Sequence, residues 1–118
     1  MRRIMLKSKL HNAAVTQTEL SYMGSITIDG LLLEKADILE NERVQVVNIN
    51  NGERFETYVI SGEKSSGTIC LNGPAARLAA EGDRIHILSY ATMNEEELNK
   101  FKPDILILNE NNVIIDKK

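Results

Sequence analysis

Gly24-Ser25, in the stretch Ser21-Tyr22-Met23-Gly24-Ser25-Ile26-Thr27-Ile28-Asp29, sets a hydroxyl beside the carbonyl of its own preceding peptide. A serine held in that position can attack the carbonyl and convert the amide to an ester. Elimination from the ester leaves dehydroalanine, which hydrolyses to a pyruvoyl group capping the downstream fragment. Such a chain would make its own electrophilic cofactor. The plain alternative for the dipeptide is a turn leading into a strand. Four other patterns carry reactive or charged groups: Lys9-Leu10-His11, Tyr22, the arm Glu53-Arg54-Phe55-Glu56-Thr57-Tyr58, and Leu71-Asn72-Gly73-Pro74-Ala75-Ala76-Arg77. Each has an ordinary reading as well. Arg54 and Tyr58 suit a cross-strand surface pair, Lys9 a solvated charge, His11 a surface histidine, and Tyr22 and Asn72 turn-flanking positions.

These residues must be positioned mainly by strands. Ile4 and Leu6 alternate with Met5, Lys7, Lys9 and His11, which predicts a first strand with Lys9 and His11 on one face. Ser25 to Asp29 alternates again, and Leu31 to Leu39 has a short helical pattern. Arg43 to Ile49 and Glu53 to Ile60 read as two strands joined at Asn50-Asn51-Gly52, because Asn-Gly tolerates positive φ. Strand parity sets Arg54 and Tyr58 on one face and Thr57 on the other. A strand over Thr68 to Leu71 leads to Asn72-Gly73-Pro74, where proline opens a helix of one or two turns with an anion-friendly N-terminus. Arg84 to Met93 is a further strand. Asn94 with Glu97 three residues on signals a capped helix running to about Lys100. Ile105 to Leu108 and Val113 to Ile115 complete seven or eight strands. Short strands with regular turns favour a small closed barrel, mainly β with short helices.

The 118 residues suit a single domain over 1–118, with 42% hydrophobic and 26% charged residues, the balance of a globular protein. A net charge of −3 with no block of like charge argues against nucleic acid as a partner. The single cysteine, Cys70, forms no internal disulfide and sits in an apolar run, where burial is the default. His11 and His86 have no second Cys or His nearby in sequence, so no metal site is expected. No run approaches membrane-spanning length and no signal-peptide core opens the chain, so no membrane and a cytoplasmic location are expected.

Taken together, in this order and at these separations, the five patterns closely resemble the pyruvoyl-dependent aspartate 1-decarboxylases, from Met1 to about Leu108. The resemblance implies a double-ψ β-barrel, assembled as a homotetramer with active sites between neighbouring subunits. It implies self-cleavage between Gly24 and Ser25, giving a β chain of 1–24 and an α chain of 25–118, and it leaves room for a maturation factor. The covalent cofactor would be the pyruvoyl group derived from Ser25. The substrate would be L-aspartate, held as a Schiff base and converted to β-alanine and CO₂ for pantothenate and coenzyme A synthesis.

On that resemblance Ser25 and Tyr58 are the catalytic residues, with Tyr58 as proton donor. Thr57 supports maturation by bonding the Gly24 carbonyl, and it belongs with the substrate-binding set. That set is Lys9, Arg54, Thr57, Asn72, Gly73, Pro74 and Ala75. Arg54 grips a carboxylate bidentately and Lys9 acts as a point charge. His11, Tyr22 and His86 are expected neighbours of the site. Two departures from the family pattern stand out. Pro74 replaces a common alanine and removes one N–H, and His86 replaces a usual aliphatic residue. The alternative reading is an uncleaved, non-catalytic barrel that binds a small anion or a partner protein.

Overall fold

The computed structural model describes all residues 1–118. The nine strands are β1 (Arg3–Ala14), β2 (Gln17–Glu19), β3 (Ser25–Asp29), β4 (Arg43–Asn48), β5 (Arg54–Gly62), β6 (Ile69–Asn72), β7 (Arg84–Met93), β8 (Asp104–Leu108) and β9 (Ile114–Lys117). They form one hydrogen-bonded succession in the order β2-β6-β3-β5-β4-β7-β1-β8-β9. The two α-helices are short: α1 (Gly30–Ala36) and α2 (Glu95–Leu98). The mainly β, small-barrel class expected from the sequence is the one observed. No helix is long and apolar enough to cross a membrane.

The strand succession mixes senses. β1 pairs antiparallel with β7 but parallel with β8, and β3 pairs antiparallel with β6 but parallel with β5. The strands wrap a core of 19 buried residues that includes Leu10, Ile26, Ile28, Val46, Val59, Ile69, Leu71, Ile85, Ile87 and Leu106. Alternation supplies this core from one face of strands such as β4, whereas β6 is buried on both faces. Val44, Val46 and Asn48 of β4 point inward while Arg43, Gln45 and Val47 point out.

The turn chemistry read from the sequence is present. Gly52 takes φ +78° and donates to the Asn48 carbonyl at 2.9 Å, closing the β4–β5 hairpin. Asn94 and Glu97 form a complete capping box, although α2 stops at Leu98 rather than near Lys100. Buried Asp29 caps α1 by accepting Leu31 N–H, and it also accepts N–H from Ser65 and Gly67. One carboxylate thus pins the loop after β5 to the start of α1.

Two features depart from expectation. β2 is a three-residue strand with too little alternation to read from sequence. In β1, Leu6 pairs with Tyr90 and Ser8 with Ser89, so Lys7 is an extra residue that reverses the parity of the strand. Ile4 and Leu6 therefore share the outer face with Lys9 and His11 instead of alternating with them, and Ile4 is 75% exposed.

Candidate active site

The register of β3 against β6 builds the first part of the site. Ser25 opposes Asn72 and Thr27 opposes Cys70. Ser25 is fully buried. Its Oγ accepts a hydrogen bond from Asn72 Nδ2 at 2.9 Å and donates to the Met23 carbonyl at 3.3 Å. The same Asn72 Nδ2 donates to Thr27 Oγ1 at 3.0 Å, and the Cys70 thiol donates to Asn72 Oδ1 at 3.2 Å. The thiol fixes the orientation of the carboxamide, which presents N–H to Ser25 only because its oxygen faces sulfur. Burial, then the charge of Glu19, raises the Cys70 pKa, which keeps it a donor.

Gly73 brings the next element against residues 22–24. It sits at φ +64°, in the left-handed region that glycine enters freely. A Cβ there would lie 2.7 Å from the Tyr22 carbonyl oxygen and 2.8 Å from Gly24 N. Residues 22–24 and the start of the 3₁₀ segment Gly73–Arg77 are in backbone contact. Pro74 occupies the first turn of that segment, where a missing N–H interrupts no helical ladder. Its ring lies beside Gly24, with Cδ 3.4 Å from where a Gly24 Cβ would stand.

β5 closes the other side. It is hydrogen-bonded to β4 from Arg54 to Tyr58, whereas its parallel pairing with β3 begins only at Val59, opposite Ile26. The ladder is therefore open between residues 55–58 and Gly24. A cleft of about 350 Å³ fills the gap, lined by Gly24, Phe55, Glu56, Thr57, Tyr58, Pro74, Ala75 and Leu78. The β4–β5 register runs without a shift, so no bulge brings Thr57 and Tyr58 together. They point to opposite faces and still border one cleft, because that cleft lies along an unpaired strand edge.

Lys9, His11, Arg54 and His86 lie elsewhere. Val47 pairs with Arg54 on one side and His86 on the other, and Leu88 pairs with both Gln45 and Lys9. Cross-strand partners point to the same face, so these residues line the outer surface of β5, β4, β7 and β1. Arg54 donates to Gln45 Oε1 at 3.0 Å, which also accepts the Tyr90 hydroxyl at 3.0 Å. Neither Arg54 nor Lys9 forms an ion pair within the chain. His11 stacks on His86 with ring centroids 4.1 Å apart. Burial, then the charges of His11 and Lys9, pushes the His86 pKa down to about 4. Burial, then Lys9 and Lys118, lowers that of His11.

Comparison with known proteins gives this arrangement a family. Residues 1–115 match the family model described as aspartate decarboxylase. An aspartate 1-decarboxylase of Clostridium beijerinckii is 60% identical over 110 residues, covering 93% of this chain and 89% of the relative. One from Thermoanaerobacter pseudethanolicus is 60% identical over 112 residues, covering 95% and 96%. One from Staphylococcus aureus strain JH9 is 55% identical over 116 residues, covering 98% and 91%. The chain belongs to the aspartate decarboxylase family.

Within this aspartate decarboxylase chain the expected site residues fall into two sets. Tyr22, Gly24, Ser25, Thr57, Tyr58, Asn72, Gly73, Pro74 and Ala75 gather around the open β3–β5 edge. Lys9, His11, Arg54 and His86 gather on the outer sheet face. Sequence reasoning missed Thr27 and Cys70, which complete the Asn72 network. The alternation of Ser25 and Thr27 in β3 was the available signal, but only the β3–β6 register shows that both reach one carboxamide.

Proposed function

We propose that this protein is an aspartate 1-decarboxylase that cuts its own Gly24–Ser25 bond and converts L-aspartate to β-alanine and CO₂, supplying pantothenate and coenzyme A synthesis. Family membership supports the decarboxylation. The observation that carries the self-cleavage is the buried Ser25 Oγ, held by Asn72 and the Met23 carbonyl at the open end of the parallel ladder. Cleavage begins when Oγ attacks the Gly24 carbonyl carbon. The C–N bond breaks, the nitrogen takes the proton, and an ester remains. Loss of the Ser25 α-proton expels the Gly24 carboxylate, and water then replaces ammonia to leave the pyruvoyl group. Thr57, on the cleft with Gly24, is the proposed donor to the Gly24 oxygen as negative charge develops on it.

The surroundings fit such a group: Ser25 is sealed from solvent, an amide donor reaches its side chain, and the cleft stands beside it. The pyruvoyl group supplies the electron sink that decarboxylation at an amino acid Cα requires. The chain's own residues do the rest. Arg54 takes the side-chain carboxylate that is retained, because a guanidinium matches a carboxylate bidentately. Lys9 adds a second positive charge. The departing carboxylate is left weakly held, since tight binding there would stabilise the ground state. Tyr58, bordering the cleft, returns a proton to the product carbon. Arg54 and Lys9 stand apart from the cleft within one chain, so the complete site is proposed to form between copies in a homotetramer. A maturation factor is a further proposed partner.

Intact-mass measurement tests this directly. The expected result is two fragments, 1–24 and 25–118, the second blocked at its N-terminus and reducible by borohydride, with β-alanine formed from aspartate. Ser25→Ala should remain one chain and be inactive. A stable uncut 13.2 kDa species that makes no β-alanine would remove the proposal. Arg54→Lys should weaken the preference for aspartate over amino acids without a side-chain carboxylate. An unchanged preference would reassign the carboxylate.

A further inference from the structure

His86 stands opposite a place in β1 where two residues face one. Leu10 pairs with Ile87 and Ala13 with Ile85, so His11 and Asn12 together oppose His86. Asn12 adopts φ +68° to make this bulge. A bulge turns backbone groups out of the ladder, and they need other partners. Asn12 N–H donates to His86 Nδ1 at 3.0 Å. The Asn12 carbonyl accepts from Arg84 Nε at 3.1 Å and Nη2 at 2.6 Å. The bulged residue is clamped from both sides by β7 side chains. With Nδ1 acting as an acceptor, neutral His86 carries its proton on Nε2. Its ring also supports the His11 ring, the planes inclined by 19°.

The charges around this stack favour two neutral rings. Lys9 comes from β1, Arg54 from β5 across Val47, Arg84 from β7, and Lys118 from the end of the chain. β4 presents Arg43, Gln45 and Val47 to this face, and β8 presents Ile105 and Ile107. Asp116 of β9 lies across Ile107 and Glu56 of β5 across Gln45 on this face, but the charges that act on the rings are Lys9 and Lys118 on His11, and His11 and Lys9 on His86, so adding a proton to either ring is opposed.

We infer that His86 is a positioning residue for the Lys9–His11 edge: by closing the β1 bulge and lying under the His11 ring, it fixes how that edge meets aspartate. The inference rests on the proposed role of this outer face in substrate binding. An aliphatic side chain at 86 could neither accept the Asn12 N–H nor hold the ring by stacking. His86→Gln keeps an acceptor and loses the ring. His86→Phe keeps a ring and loses the acceptor.

Imidazole NMR, amide exchange and kinetics on the mature protein separate these functions. In His86→Ile, the ring-current shift that the stacked His86 ring imposes on the His11 imidazole should disappear. Asn12 amide exchange should speed up by about tenfold, and KM for aspartate should rise roughly three- to tenfold with kcat nearly unchanged. His86→Gln should restore Asn12 protection, and His86→Phe should restore the ring-current shift of His11. Unchanged His11 and Asn12 signals in His86→Ile would overturn the inference. Lys9→Ala serves as the reference. If it raises KM while His86→Ile does not, His86 does not serve binding. If Lys9→Ala leaves KM unaltered, the substrate role of the whole face fails instead.

Discussion

Asn72 is a single carboxamide asked to satisfy three side chains. Its Nδ2 serves Ser25 and Thr27, and its Oδ1 accepts from Cys70. Asn72→Ala removes the donor that holds Ser25 Oγ and leaves a buried hydroxyl with one partner fewer. The expected cost is about 1–3 kcal/mol of stability, with cleavage slowed by at least roughly tenfold. Urea unfolding of freshly made, uncut Asn72→Ala and native chains reads the first effect, and timed intact-mass measurement the second. Cleavage of Asn72→Ala at the native rate would release Asn72 from maturation. The sequence pointed to Asn72 and Ser25 through their neighbours, but the shared Thr27 and Cys70 partners depend on a strand register that no local pattern encodes. His86 makes a different kind of prediction. Its pKa is about 4 when folded against an ordinary 6.5, so the unfolded chain binds the proton first as pH falls. The stability held above pH 6.5 is lost progressively toward pH 4, the window those two values define. Thermal unfolding across that window should show a shallower loss for His86→Gln. An identical slope would mean that His86 is not the titrating group.

At the scale of elements, the feature that bears on the proposed cleavage is a parallel ladder that opens just before the Gly24–Ser25 bond, with the 3₁₀ segment wedged against the opening. Gly73→Ala tests the wedge. Its φ of +64° is strained for alanine, and the new Cβ would overlap Tyr22 O and Gly24 N. The expected destabilisation is about 1–3 kcal/mol, together with displacement of residues 22–24 and slower cleavage. Gly52→Ala is the comparison, because φ is +78° there but nothing lies within 4 Å of the added carbon. It should lose some stability and cleave normally. Equal cleavage by both variants would show that the Gly73 contact does not set the geometry of the bond. Hairpin β4–β5 and the capping box at Asn94 were legible because their signals are local. The parity reversal at Lys7, the bulge at Asn12 and the β3–β5 opening were not, because each depends on a partner strand distant in sequence.

Across the whole molecule, the expected site residues divide between Tyr58 on the cleft with the buried Ser25 next to its Gly24 wall, and an outer face that carries Lys9 and Arg54. On the proposed chemistry, a single copy therefore sets Ser25 apart from the two cations, Lys9 and Arg54. Head-to-tail association would bring the outer face of one copy to the cleft of the next. This predicts complementation between two inactive variants. Ser25→Ala lacks the pyruvoyl precursor but keeps Lys9 and Arg54. Arg54→Ala keeps the cleavable serine and lacks the cation. Co-expressed with different tags and purified through both, the mixed assembly should form β-alanine, although each variant alone forms almost none. The native protein should also run as a multiple of the single-chain mass in light scattering. Mixed assemblies that stay inactive while both variants fold and Arg54→Ala still cleaves would mean that each site is built within one chain, and Arg54 would have to be replaced as the carboxylate partner.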